Sequence, residues 1–273
     1  MILKAKNTFF TSPASFSLHY QALCIYVHID GFQCYCGLSK LFKMVQDYFL
    51  CFDSIKLKCF RLYLANSTDE FLKMNAEEIK LLLSDKTVGI AGCGGLGSNC
   101  AVALARIGIG HLIIVDFDSV DVSNLNRQYY FRHQIGEKKV LALAENIHGI
   151  DENIRITAVD TKLDADEIVT VFAGCDVVVE AFDLAGMKQM IAETVIARMP
   201  GTPLVMGNGM AGWGFSNRLK VEKPAGNIYV CGDGISEISE TLPPLAPRVG
   251  IVANMQANTV LNLLLGNTKE DTL

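Results

Sequence analysis

Long apolar runs, an excess of positive charge and paired cysteine motifs are what this 273-residue chain lacks. No uninterrupted apolar stretch reaches the roughly 18 residues a membrane helix needs. Residues 22–32 contain His28 and Asp30, and residues 41–52 contain Lys43 and Asp47. Lys4 and Lys6 are not followed by a continuous apolar segment, so the N-terminus does not read as a secretory leader and a cytoplasmic location is the expectation. With 24 Lys and Arg against 29 Asp and Glu, the net charge is −5, and no nucleic-acid partner is expected. The nine cysteines are odd in number, and five of them (Cys24, Cys34, Cys36, Cys51, Cys59) fall in the first 60 residues. In a reducing compartment these read as free thiols, not as a disulfide framework. Cys34-Tyr35-Cys36 is CxC rather than CxxC and no second pair completes a structural zinc site, so no zinc is expected.

What is present is a globular composition, half apolar and 19% charged. The pattern breaks near residue 68. Residues 1–67 are rich in Phe, Tyr and Cys without clean helical or alternating periodicity, and form an N-terminal extension of unknown role. A small added module, a poorly ordered extension and sequence upstream of the true start all fit them. Residues 68–273 form the second unit. Asn75 and Glu78 have the spacing of a capping box, predicting a helix to about Leu83. Short apolar strands then alternate with helices: strands at 86–91, 112–115, 154–159, 176–181 and 203–207, helices at 98–107, around 140–147, 164–173 and 186–198. Such alternation implies a mostly parallel, doubly wound sheet. Beyond Gly212 come strand-like pieces at 218–221 and 227–230, a proline-rich bend at 242–247 and a final helix at 249–265. The fold class is therefore α/β with a smaller C-terminal strand and helix extension.

The first strand runs into Gly92-Cys93-Gly94-Gly95-Leu96-Gly97, a GxGxxG turn between a strand and a helix. Glycine is needed for the tight turn, for close backbone approach to phosphate and for helix–strand contact, and the helix N-terminus offers free N–H groups to an anion. Asp116, 19 residues beyond Gly97 at the end of the next strand, is placed to accept from ribose hydroxyls. This makes the sheet Rossmann-like and the ligand a nucleotide. The polar run DFDSVDVSNLNRQ at residues 116–128 then separates ATP from NAD(P), because a triphosphate needs cationic side chains that a dehydrogenase loop does not.

GCGGLGS, the run at 116–128, Gly136-Glu137-Lys138-Lys139 and Asp183 together resemble the ThiF/MoeB/HesA family, bacterial relatives of the ubiquitin-activating enzymes. The resemblance covers about residues 84–266, and VVEAFD and PRVGIVANMQAN are most similar to its short ThiF type, associated with sulfur transfer for thiamine thiazole synthesis. It implies ATP and Mg²⁺ as cofactors and adenylation of a small ubiquitin-like sulfur carrier ending in Gly-Gly. Gly92, Gly94, Gly95, Gly97, Asp116 and Asp118 would hold the nucleotide; Asn124, Arg127 and Lys139 would contact phosphates; and Asp183 would bind magnesium. Arg127, Lys139 and Asp183 would be the catalytic set, and a homodimer is implied.

The chain departs from the family in three places. The paired zinc cysteines of many relatives are absent from the C-terminal half, where Cys231 stands alone. The N-terminal arginine motif that many relatives reach across with is not matched by Phe60-Arg61-Leu62-Tyr63. Cys231, expected in a flexible glycine-flanked loop after the sheet, is the candidate for a thiol that links covalently to the carrier, with a small apolar filler as the other reading. The alternatives are a tRNA-base-activating dehydratase of the same superfamily, an NAD(P)-dependent oxidoreductase and a scaffold that has lost activity. Tyr129 and Tyr130 do not stand in the Tyr-xxx-Lys spacing of short-chain dehydrogenases relative to Lys138 and Lys139.

Overall fold

Seven strands, in the order β10 (Lys220–Ala225), β11 (Ile228–Gly232), β9 (Leu204–Gly207), β8 (Val177–Glu180), β5 (Thr87–Ala91), β6 (His111–Val115) and β7 (Arg155–Val159), make one sheet that is parallel except for β10, which pairs antiparallel with β11. The computed structural model describes residues 74–266 in full, together with the backbone of four strands between residues 2 and 36. Those four are β1 (Ile2–Ala5), β2 (Phe16–His19), β3 (Ile25–Ile29) and β4 (Phe32–Cys36), which form a separate sheet in the order β2-β1-β3-β4. The N-terminal cysteines and Arg61 lie outside the fully described residues. The chain separates into two units, Met1–Leu72 and Lys73–Leu273.

The central strands β5 and β8 are covered on both faces and read as largely apolar runs, as buried parallel strands do, with Glu180 the charged exception at the end of β8. The edge strands β7 and β10 are largely exposed and carry charged residues. The connecting helices are α1 (Ala76–Leu83), α2 (Gly95–Arg106), α3 (Lys139–His148), α4 (Ala165–Val171), α5 (Ala185–Arg198) and α6 (Ala246–Leu264). One apolar core joins α2, α3 and α6 to one face of the sheet, through Leu104, Leu143 and Val252 among others. A second joins α4 and α5 to the other face, through Ile168, Phe172 and Ile191. No helix among the described residues is long and apolar enough to cross a membrane.

Local sequence sets several boundaries. Both arms of the Asn75–Glu78 capping box are formed, at 2.9 and 3.1 Å. Asp164 caps α4 by accepting from Asp166 N and Glu167 N. Two helices begin three residues earlier than the apolar pattern predicts. Helix α2 starts at Gly95, inside the glycine turn, and α6 starts at Ala246 because Pro247 is tolerated in a first turn whose N–H groups have no intrahelical acceptor.

The chain runs from β5 outward to β6 and β7, then returns to the other side of β5 as β8. The carboxyl ends of β5 and β8 therefore diverge into connections on opposite faces. Open α/β sheets bind their ligands at this switch point.

Candidate functional site

Ala91, the last residue of β5, pairs with Glu180 of β8 and with Val115 of β6, so the turns that follow these three strands meet. Gly92 takes φ +98°, and a side chain there would press on Ala181 O at 2.8 Å. Its N–H donates to Val115 O at 2.8 Å. A side chain at Gly97 would run into Gly92 O, so this glycine is what lets α2 rise directly against the turn. Gly94 is the N-cap of α2, and no side chain caps that end.

Asp116 closes the turn from the β6 side. Its Oδ2 accepts from Cys93 N at 2.7 Å and its Oδ1 from Asp118 N at 2.8 Å. Three further side chains tie the loop at 121–130 to the same turn. Tyr130, buried, donates its hydroxyl to Cys93 O at 2.7 Å. Asn99 Nδ2 donates to Arg127 O at 2.9 Å, and Ser98 Oγ accepts from Tyr129 N at 3.0 Å. Burial pushes the Tyr130 hydroxyl's pKa up, so it stays a proton donor.

A cleft of about 300 Å³ opens here, within the size range of small-molecule sites. Gly92, Gly94, Gly95, Asp116, Asp118, Arg127, Lys139 and Asp183 all line it. Lys139 is buried, its side chain 8% exposed, and its Nζ lies 2.7 Å from Oδ2 of the half-exposed Asp118. Neighbouring Lys138 turns away, donating to Phe117 O at 2.8 Å and to Asp160 Oδ1 at 3.0 Å. Arg127 Nη1 donates to Ser123 O and Asn126 Oδ1, which holds the guanidinium at the cleft wall. Asp183 is exposed and has no hydrogen-bond partner among the described residues.

Gly97, Asn124 and Cys231 do not line the cleft. Gly97 acts through helix packing. Asn124 Oδ1 accepts from Asp121 N at 3.0 Å, capping the turn at Val122–Asn124. Cys231 is not in a loop but within β11, fully buried, with Sγ 3.7 Å from Thr259 Oγ1 of α6. Burial pushes its thiol up to about 11, which makes it a packing residue in this conformation.

Several lining residues carry no local sequence signal. Phe117, Leu163, Phe182 and Met210 supply apolar wall, Gln128 lies beside Gly94, and Lys188 reaches the floor from α5. Met210, Ile238 and Pro244 come from the long segment between β9 and α6. A buried ion pair, Arg248 Nη2 to Asp233 Oδ2 at 2.6 Å, anchors that segment to α6.

The open glycine backbone, the unspent helix end and two cations within reach suit a polyphosphate. Among the described residues, no three His, Cys, Asp or Glu gather into a metal cage. Magnesium does not need one, since it is commonly held by one or two carboxylates with substrate phosphates completing its shell. Asp183, with both oxygens uncommitted, fits that role.

The ThiF family model matches residues 70–273. The SAMP-activating enzyme E1 of Haloferax volcanii is 32% identical over 186 residues, 68% of this chain and 63% of that protein. The sulfur carrier protein ThiS adenylyltransferase of Escherichia coli is 30% identical over 191 residues, 67% of this chain and 74% of that protein. Among solved structures, E. coli tRNA N6-threonylcarbamoyladenosine dehydratase in complex with AMP superposes with a TM-score of 0.64 at 23% identity, over 70% of this chain and 90% of that one, a likeness of fold. The chain spans 44% to 63% of the length of the first relatives it matches. Family match, sheet order and glycine-turn geometry agree: the chain belongs to the ThiF family.

Proposed function

We propose that this chain is an ATP-dependent adenylyltransferase that activates the C-terminal carboxylate of a small ubiquitin-like sulfur carrier ending in Gly-Gly. The observation that carries the reading is the convergence of the glycine turn, Arg127, Lys139 and Asp183 on one cleft at the sheet's switch point. One relative is named for activating SAMP and another for adenylating the sulfur carrier ThiS, which supports a carrier protein as substrate. Within that class, a ThiS-like carrier serving thiamine thiazole synthesis is the assignment favoured by the short ThiF-like sequence motifs.

In this reaction a carrier carboxylate oxygen attacks the α-phosphorus of ATP. The bond from that phosphorus to the oxygen bridging to the β-phosphate breaks, giving acyl-adenylate and pyrophosphate. The nucleophile is already ionised at neutral pH, so no general base is required. The chain contributes position and charge. The glycine turn and the N-terminus of α2 hold phosphate oxygens, Asp116 accepts from the ribose, and Arg127 and Lys139 face the charge that develops on the leaving group. Lys139 reaches it by leaving Asp118, whose half-exposed carboxylate is readily solvated. Magnesium, which Asp183 would hold, supplies further neutralisation of the phosphates when bound.

The adenylation domain is assigned to residues 68–273, supported by the family match from residue 70. A homodimer and a cytoplasmic location complete the reading. For the dimer, a surface groove along α6, lined by Val221, Ile251, Asn254, Met255 and Asn258, is the face on offer, and sedimentation velocity is its test. The test of the activity is pyrophosphate–ATP exchange with a Gly-Gly-ending carrier: absence of carrier-dependent exchange overturns it.

A second reading, activation of a modified tRNA base by the same cleft, is favoured by the fold likeness to the dehydratase and by 33% identity to it over 142 residues. Replacing the carrier with tRNA in a nucleotide-consumption assay separates the two. The NAD(P)-dependent alternative is set aside by the family match.

A further inference from the structure

At the cleft wall a charge pair that the proposed reaction does not use joins the fully buried Glu180 to Lys188, which lines the cleft with its side chain 20% exposed. Glu180, the last residue of β8, is fully buried. Lys188, in the first turns of α5, places Nζ 2.8 Å from its Oε1 and 3.0 Å from its Oε2. The third ammonium proton goes to Gly207 O at the end of β9, 2.9 Å away. All three donors of Lys188 are therefore spent inside the chain. Glu180 Oε1 also accepts from Phe182 N at 2.6 Å, and Glu180 O accepts from Gln256 Nε2 of α6 at 2.9 Å. One residue pair thus binds together the ends of two strands, the start of one helix and the turn that carries Asp183.

Removing the Glu180 carboxylate and most of the Lys188 side chain from water is costly, and an apolar pair would fill the space without that cost. The arrangement calls for a role beyond packing. Burial pushes the Glu180 carboxyl up, and the Lys188 ammonium and the Phe182 amide act against it. The residue that most needs such support is Asp183. It is exposed and has no hydrogen-bond partner among the described residues, and α5 has Leu184 as its N-cap and no side-chain cap. Among the described residues nothing bonds the Asp183 carboxylate, so its position is set by the backbone before it. That backbone is held at Phe182 N by Glu180.

We propose that Glu180 and Lys188 are positioning residues for Asp183, fixing the turn at 182–184 so that the Asp183 carboxylate faces the phosphates of a bound nucleotide. This rests on the adenylation reading above, in which Asp183 holds the metal. Lys188 lines the cleft, but its ammonium donors are taken by Glu180 and Gly207 O, so it acts through Glu180.

The test compares ATP binding by calorimetry, with and without Mg²⁺, in wild type, Asp183→Asn, Lys188→Arg and the charge-neutral double variant Glu180→Gln/Lys188→Met. Metal-free ATP affinity is expected to stay within about twofold of wild type in the double variant, while the affinity gained on adding Mg²⁺ falls about tenfold, the size typical of supporting-residue loss at metal sites. Asp183→Asn should show the same loss, and Lys188→Arg should keep the gain. Hydrogen exchange at the Phe182 amide should accelerate in the double variant. An unchanged Mg²⁺ gain, or unchanged protection at Phe182, overturns the proposal. So does a fall in metal-free affinity, which would make Lys188 a direct nucleotide contact. If the double variant does not fold, Glu180→Asp, which keeps the charge but draws the carboxylate back from Phe182 N, must lower the Mg²⁺ gain; an unchanged gain is equally fatal. A wild type with no Mg²⁺-dependent gain overturns the pair's role, and leaves adenylation itself to be judged by carrier-dependent exchange.

Discussion

Asp116 and Cys93 meet through a 2.7 Å hydrogen bond from the Cys93 backbone amide to Asp116 Oδ2, which locks the end of β6 to the glycine turn after β5. The other oxygen, Oδ1, accepts from Asp118 N. The residue expected to bind ribose is therefore also the residue that shapes the phosphate turn. Asp116→Ala removes both functions. Hydrogen bonds to a charged group contribute about 1.5–3 kcal/mol each, so ATP affinity should fall by roughly tenfold or more. Asp116→Asn, which can still accept from Cys93 N, should lose less. Titration calorimetry with ATP checks both, and equal affinity for wild type and Asp116→Ala would remove Asp116 from the site.

Gly97 is expected to be a stability position. Its missing side chain is what lets α2 pass Gly92 O. Gly97→Ala forces that contact apart at a cost of ~3 kcal/mol, which lowers the melting temperature by roughly 6–12 °C for a domain of this size. Differential scanning calorimetry reads it. A melting temperature within a degree of wild type would mean that the turn has slack the structure does not show.

Adjacent lysines should behave oppositely. Lys139→Met is expected to lower kcat for pyrophosphate–ATP exchange about 100-fold or more, the usual scale for losing one charge-stabilising group. Stability should be little changed, because the Asp118 left behind is half exposed and can be hydrated. Lys138→Met removes only the brace to Phe117 O and Asp160, and its exchange rate should stay within about threefold of wild type, since exposed pairs are weak. Comparable losses in the two variants would contradict the orientation seen here.

The Cys231 thiol should be slow to alkylate. Only the thiolate reacts, and a pKa of about 11 leaves about one thiol in a thousand ionised at pH 8. Its labelling by iodoacetamide, followed by peptide mass spectrometry, should rise about tenfold per pH unit towards that value. Cys231→Ala should retain exchange activity. Fast labelling at pH 7 would restore the covalent reading.

Much of this fold is legible along the chain because its determinants are local. A capping box spans three residues, and a glycine turn is readable wherever the chain must bend between strand and helix. Central strands announce themselves because burial on both faces favours an apolar run, as in Val177–Val179 of β8. The misplaced helix starts have the same origin. Glycine and proline weaken the helical pattern, yet Gly95 and Pro247 sit in first turns, where neither missing contacts nor a missing N–H is costly.

The sequence by itself determined the alternation of strands and helices, the nucleotide turn at Gly92, Gly94, Gly95 and Gly97, and the identity of Asp116 as the acid that answers it. Tertiary structure alone decided which side chains face the cleft. Lys138 and Lys139 are neighbours of one type, and only the rotation of α3, set by packing Val140 and Leu143 into the core, turns one inward and the other out. Asn124 resembles a phosphate ligand by its place in the motif, and the fold adds a second use for it, since its Oδ1 accepts from the Asp121 backbone amide. Cys231 became a buried strand residue through the pairing of β11 with β9. Glu180 and Lys188 are joined across a strand-to-helix turn, and their third partner, Gly207, is 19 residues further on. Such contacts depend on how separate elements pack, and no spacing along the chain encodes them.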